Sequence, residues 1–202
     1  MDKPNPDEPS STRDRIMEAA IDLFTEQGFD KTSLREVADR VGVTKAALYY
    51  HFRSKEELLL SLIERVHGIG HHGLDVLEVL VPTKGPVDRQ AVLEALEVLL
   101  DQVLAQRQIF GLIERNRTAI EALGERDPKH LEEHKKLEKQ WTDFISNGDI
   151  PLRDVVRVSS ALGALMAGAV GTTRGLGPEA HPGLRKELAA VLRDILLAPD
   201  PQ

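Results

Sequence analysis

Residues 32–59 read TSLREVADRVGVTKAALYYHFRSKEELL, and this stretch decides the fold. Ser33-Leu34-Arg35-Glu36 has the form of a capping box, a hydroxyl followed three residues later by a carboxylate that can bond back to it. It opens a helix whose apolar face is Leu34, Val37, Ala38 and Val41. Gly42 supplies a turn, and Thr44 caps a short helix bearing Ala47 and Leu48. Ser54-Lys55-Glu56-Glu57 repeats the capping-box pattern and starts a long helix through Leu58, Leu59, Leu62, Ile63 and Val66. Two short helices across a tight turn at Gly42-Val43 are a helix-turn-helix, whose second member can enter a major groove.

The preceding helix carries Ile16, Ala20, Leu23 and Phe24 at helical spacing and stops at Gly28-Phe29. Against it, Leu34, Val37, Ala38, Val41, Leu48 and Phe52 turn inward, leaving Thr44, Lys45, Ala46, Tyr49 and Tyr50 facing out. Exposed tyrosines beside a lysine suit a phosphate-lined groove: the hydroxyl donates to phosphate and the ring packs on sugar. Lys45 can reach a guanine edge or a phosphate, and Ala46 can meet a thymine methyl. Tyr49 could instead belong to the core. Charge agrees with an interface: residues 31–55 sum to +4, although the chain as a whole is −7 and the remainder therefore −11.

The same stretch resembles the DNA-binding signature of the TetR family of transcriptional regulators. The matching features are Thr32-Ser33, Val37-Ala38, Gly42-Val43-Thr44, the block Leu48-Tyr49-Tyr50-His51-Phe52, and Ser54-Lys55 with Leu58. The resemblance covers about residues 12–60. It implies phosphate contacts for His51 and Lys55, and a phosphate or base contact for Arg35, which could equally pair with Glu36 or Asp39. Ser33 would add donation to phosphate to its capping role. The resemblance further implies a repressor acting as a homodimer on a palindromic double-stranded DNA operator, and release by a small, largely apolar effector. A constitutive or activating DNA-binding factor without an effector is the alternative.

The expected organisation is a disordered tail (1–11), a helix-turn-helix domain (12–57) and an effector-binding and dimerisation domain (58–202). No period-two alternation persists, so the chain reads as all-α, with a C-terminal helical bundle. Helical stretches are expected at about 54–81, 88–106, 108–123, 128–146, 151–174 and 182–197, punctuated by Gly and Pro. Polar groups on otherwise apolar faces nominate an effector pocket of Phe110, Ile113, Asn116, His134 and Trp141. Asn116 and His134 could instead be water-facing edge residues. Ala161, Ala164, Gly168, Gly171 and Gly175 form a small-residue seam that, with Leu188 and Leu192, is expected at a dimer interface or packed within one subunit. Gly68, Gly70 and Gly73 either soften the long helix for ligand response or permit close packing.

Several classes are excluded or disfavoured by what the sequence lacks. No cysteine is present, which removes disulfide scaffolds, thiolate metal sites and a cysteine nucleophile. Nucleophile elbows, phosphate-cradling loops and dinucleotide fingerprints are missing, so a binding protein is expected, not an enzyme, and no cofactor. His67/His71 and His130/His134 have metal-ligand spacing, and His130-Leu-Glu-Glu-His134 matches an inverted zinc-peptidase pattern. That match lies in a charge-dense helix without an identifiable third ligand, so no metal site is expected. The longest uncharged run, Val158–Thr173, is short for a membrane span, and the acidic, proline-containing start is unlike a secretory signal. The expected location is the cytoplasm.

Overall fold

The computed structural model describes residues 11–81, 85–116, 120, 123, 128–145, 150–171 and 183–200; the expected disordered residues 1–10 and Gly175 of the seam lie outside the described residues. The helices are α1 (Thr12–Gln27), α2 (Leu34–Val41), α3 (Lys45–His51), α4 (Lys55–Leu80), α5 (Arg89–Ala105), α6 (Arg107–Arg115), α7 (Pro128–Ile145), α8 (Leu152–Gly171) and α9 (Leu184–Leu197). The fold is all-α, with no strand among the described residues. Two compact units, Met1–Ile63 and Glu64–Gln202, divide inside α4.

In the first unit, α1 buries Ile16, Ala20, Leu23 and Phe24. The same unit buries Val37, Ala38, Leu48, Phe52, Leu58, Leu59 and Leu62. Phe29 closes the end of α1 by setting its ring edge-on to Phe24, with centroids 5.2 Å apart. Thr32, almost fully buried, donates its hydroxyl to the Gly28 carbonyl at 2.9 Å, which satisfies it inside the loop.

The second unit is built on α5, α8 and α9. The last helix packs on both α5 and α8, α5 packs on α8, and α6 adds to α8. Leu93, Leu96 and Leu100, Val158, Ala161, Leu165 and Ala169, and Leu188, Leu192 and Leu196 make a continuous core. Arg185 braces α9 to α5 by a two-pronged bond to Asp101, Nε to Oδ1 at 2.9 Å and Nη2 to Oδ2 at 3.1 Å. Those bonds hold the Asp101 carboxyl below its ordinary value. By length and composition α8 could cross a membrane, but Val158, Ala161, Leu165 and Ala169 form part of the unit's core.

Three sequence expectations are corrected or resolved. The helix expected over 108–123 is interrupted: α6 ends at Arg115, and Asn116 turns its Nδ2 back to the Leu112 carbonyl at 2.8 Å. An amide that can bond its own backbone ends a helix more readily than it extends one. Part of the small-residue seam, Ala161 and Gly168, packs within the subunit. Ala161, Leu188 and Leu192 are buried by their own chain, Ala164 and Gly168 are half-covered, and Gly171 alone of this set is exposed. Ala161, Leu188 and Leu192 therefore cannot form a dimer surface. The third concerns the α4 glycines. A Cβ at Gly70 or Gly73 would lie 3.0 Å from Leu137 or Leu99, so these two positions let α7 and α5 approach closely.

Gly168 has the tightest fit, since a Cβ there would stand 2.2 Å from Leu188 Cδ2. Gly168→Ala is expected to destabilise the protein by about 1–3 kcal/mol through overpacking. In the Gly168→Ala/Leu188→Ala pair the two costs should be less than additive in denaturant melts, because the clash partner is gone. Strict additivity would mean that the two side chains do not meet.

Candidate nucleic-acid interface

The outward face of α3 depends on how its ends are fixed. Thr44 accepts from the Ala47 N–H at 3.1 Å, and Ser33 from the Glu36 N–H at 3.3 Å. Glu36 completes the box by accepting from the Ser33 N–H at 2.7 Å and from its hydroxyl at 2.7 Å. These Ser33 bonds hold the Glu36 carboxyl below its ordinary value. Between the helices Gly42 adopts φ +75°, the left-handed region that a side chain makes costly. The N–H groups of Gly42 and Val43 both converge on the Ala38 carbonyl at 3.0 Å.

Arg15 of α1 donates to the Val41 carbonyl at 2.8 Å, tying the end of α2 to a residue 26 positions earlier. No local pattern marks Arg15, and its role was invisible in the sequence. The second capping box differs in detail from its sequence form. Ser54 caps Glu57 at 3.0 Å, but the Glu57 carboxylate accepts from the Arg53 N–H at 2.7 Å.

With the pair so fixed, Thr44, Lys45, Ala46, Tyr49 and Tyr50 are all exposed, while Leu48 between them is fully buried. Tyr50 is 87% exposed and Tyr49 42%, which rules out a core role for either ring. The Lys45 ammonium sits 5.5 Å from the Tyr49 ring, and the Tyr50 ring is edge-on to half-buried His51 at 5.2 Å. A cation over an aromatic face and a ring standing free in water form an amphipathic, positively charged surface. Ser33 is exposed, and Arg35 extends into solvent with only a loose 3.9 Å approach to Asp39.

The basic island is partly consumed inside the protein. Arg40 pairs with Glu26 at 3.0 Å, and this bond keeps the Glu26 carboxyl below its usual range. Lys55 donates to the carbonyls of Phe29 at 3.0 Å and Asp30 at 3.2 Å, with its ammonium 4.4 Å from the Phe29 ring. Two of its three N–H donors are thus used to brace the α1–α2 loop. Lys31 and Arg53 of the same island are exposed.

The candidate effector residues are less concentrated. Phe110 and Ile113 are half-buried on α6, Trp141 is half-buried on α7 beside Phe144, and the His134 side chain lies outside the described residues. A cavity of about 100 Å³ lies between α4 and α5, lined by His72, Val76, Leu77, Leu96, Leu99 and Gln102, and none of the nominated residues borders it. Among the described residues, no three His, Asp or Glu side chains gather in a way that could hold a metal.

Residues 16–62 match the family model described as bacterial regulatory proteins, tetR family. Across 175 residues, 82% of this chain and 81% of the relative, the protein is 27% identical to the probable HTH-type transcriptional regulator ArpR of Pseudomonas putida. A 52-residue match, 26% of this chain and 28% of the relative, is 42% identical to IcaR of Staphylococcus epidermidis, a negative transcriptional regulator of a biofilm operon. The crystal structure of the TetR family regulator PfmR from Thermus thermophilus covers 93% of this chain and all of its own, with a TM-score of 0.64 at 24% identity, and so shares the fold. The protein is a helix-turn-helix transcriptional regulator. Its likeness to the TetR family lies in the helix-turn-helix segment, residues 16–62.

Lys55→Ala should lower stability by about 1–2 kcal/mol, because it removes charge-assisted bonds to two carbonyls. Tyr50→Ala should stay within about 0.5 kcal/mol of wild type, as an exposed substitution does. Thermal melts followed by helix signal test both; equal melting of Lys55→Ala and wild type would show that the brace contributes nothing.

Proposed function

We propose that this regulator is a repressor that binds a palindromic operator as a homodimer and leaves it when a small molecule binds the C-terminal unit. The observation that carries the DNA-binding part is the exposed row Thr44, Lys45, Ala46, Tyr49 and Tyr50 on a short helix held by caps at both neighbouring termini. Lys45 reads a base edge or phosphate; Tyr49 and Tyr50 pack on the sugar-phosphate backbone; Ser33, Arg35 and His51 add phosphate contacts. Lys55 acts mainly through the loop that it braces. Repression is supported by the name of the relative IcaR.

In a gel-shift assay Lys45→Ala and Tyr50→Ala should weaken operator binding tenfold or more, about 1.4 kcal/mol each. Lys45→Ala should also reduce the slope of log affinity against log salt by about 1 if its partner is a phosphate. Unchanged affinity in both variants would sink the docking face. The operator itself is found by selecting bound DNA fragments.

For the dimer, the buried seam is set aside in favour of the outer faces of the same two helices. Leu152 and Val156 of α8 are 77% and 54% exposed, and Met166, Val191 and Leu197 add exposed apolar surface on α8 and α9. A second subunit covering these side chains sets the spacing between two recognition helices. Val156→Glu should convert a sedimenting dimer into monomers and weaken binding to paired half-sites; dimers that persist in the variant refute this face.

The effector is assigned to the half-buried aromatic and apolar residues Phe110, Ile113 and Trp141, with Asn116 and His134 as candidate polar contacts. Trp141 is the single tryptophan of the chain, so its fluorescence reports occupancy there directly. A compound that releases the operator without altering that fluorescence binds elsewhere.

A further inference from the structure

Three guanidinium groups of the C-terminal unit converge on one carboxylate. Asp200 lies just beyond α9, in a segment without regular structure. Its Oδ1 accepts from Arg89 Nη1 at 3.2 Å and Arg157 Nη2 at 3.1 Å, and stands 3.3 Å from Arg153 Nη1. Arg89 Nη2 approaches the second oxygen at 3.5 Å. Arg89 also donates through Nε to Asp154 at 2.8 Å, and Asp154 is the one buried charged residue among the described residues. Arg157, only 12% exposed in its side chain, donates to the carbonyls of Ile195 and Leu196 at 2.9 and 3.1 Å, closing the end of α9.

Charge does not balance in this cluster. Arg89, Arg153 and Arg157 have two acidic partners among the described residues, Asp154 and Asp200, which leaves one positive charge in excess. A partly buried cluster that carries a net charge is unfavourable. One carboxylate oxygen receives three cations, more than its lone pairs can serve, while most of the guanidinium N–H groups have no carboxylate opposite them. Asp200 itself is half-exposed and held by an irregular segment, so it can leave without unfolding a helix.

We propose that Arg89, Arg153 and Arg157 form an oxyanion-binding site for a doubly charged ligand, and that the Asp200 carboxylate is its built-in occupant. A dianion replacing Asp200 would neutralise the cluster against Asp154, which the single carboxylate does not. Phosphate-bearing and dicarboxylate compounds share this chemistry, and the planar forks of arginine are suited to both. Tethering raises the effective concentration of Asp200 to the millimolar range, so the site stays closed to weak anions. Occupancy frees residues 198–200 from the end of α9. The hydrogen bonds from Arg89 hold the Asp200 carboxyl below its ordinary value.

The full-length chain and inorganic phosphate make the test. In Asp200→Ala, phosphate at matched ionic strength against sodium chloride should raise the unfolding midpoint by roughly 2–4 °C. Wild type should need a higher phosphate concentration for the same rise, and Asp200→Ala/Arg153→Gln should lose it. If Asp200→Ala is too unstable to melt cooperatively, Asp200→Asn takes its place in the same comparison. No phosphate-specific rise in the single variant overturns the proposal. So does an equal rise in wild type, single and double variants, which would mark a generic salt effect.

Discussion

The recognition helix spans seven residues, Lys45–His51, far too short to persist in water on its own hydrogen bonds. Its existence rests on the burial of Leu48 and Phe52, both essentially inaccessible to solvent. Because only one side chain of the helix proper points inward, almost everything else on it is free to face a partner. Burial and display are therefore the same constraint: one leucine fixes the rotation of the helix, and that rotation exposes Lys45, Tyr49 and Tyr50 together.

Around this anchor the first unit uses polar groups mainly to fix chain ends. Ser33, Thr44 and Ser54 cap helices, Arg15 serves the Val41 carbonyl, and Lys55 serves two carbonyls of the α1–α2 loop. A basic residue in a DNA-binding segment can thus act by neutralising phosphate or by holding backbone, and the bonding partner decides which. Arg40 and Lys55 are committed internally, whereas Lys45 and Arg35 are not.

The second unit obeys a different economy. Its long helices can be brought close only where side chains are small, and Gly168 against Leu188, Gly73 against Leu99 and Gly70 against Leu137 are those places. At Gly70, Gly73 and Gly168 the glycines that suggested a soft segment or a dimer seam record close helix packing inside one chain, whereas Gly68 and Gly171 meet no neighbouring side chain. What remains exposed on α8 and α9 is larger and more apolar, including Leu152, Val156 and Val191.

Much was legible from sequence because it is local. Capping boxes at Ser33, the turn at Gly42, the cap at Thr44 and the alternation of buried and exposed positions on α3 involve residues within four of one another. Their chemistry survives without knowledge of any distant contact, so the helix-turn-helix and its outward residues could be read directly. Tertiary structure decided whatever depends on partners far along the chain. It assigned Lys55 to carbonyls 25 and 26 residues away, Arg15 to the end of α2, Leu188 to Gly168, and three arginines to Asp200. Periodicity marks which face of a helix is apolar, but two apolar faces look alike until packing chooses which one the same chain covers. That choice put Ala161, Leu188 and Leu192 in the core and left Val156 and Val191 at the surface.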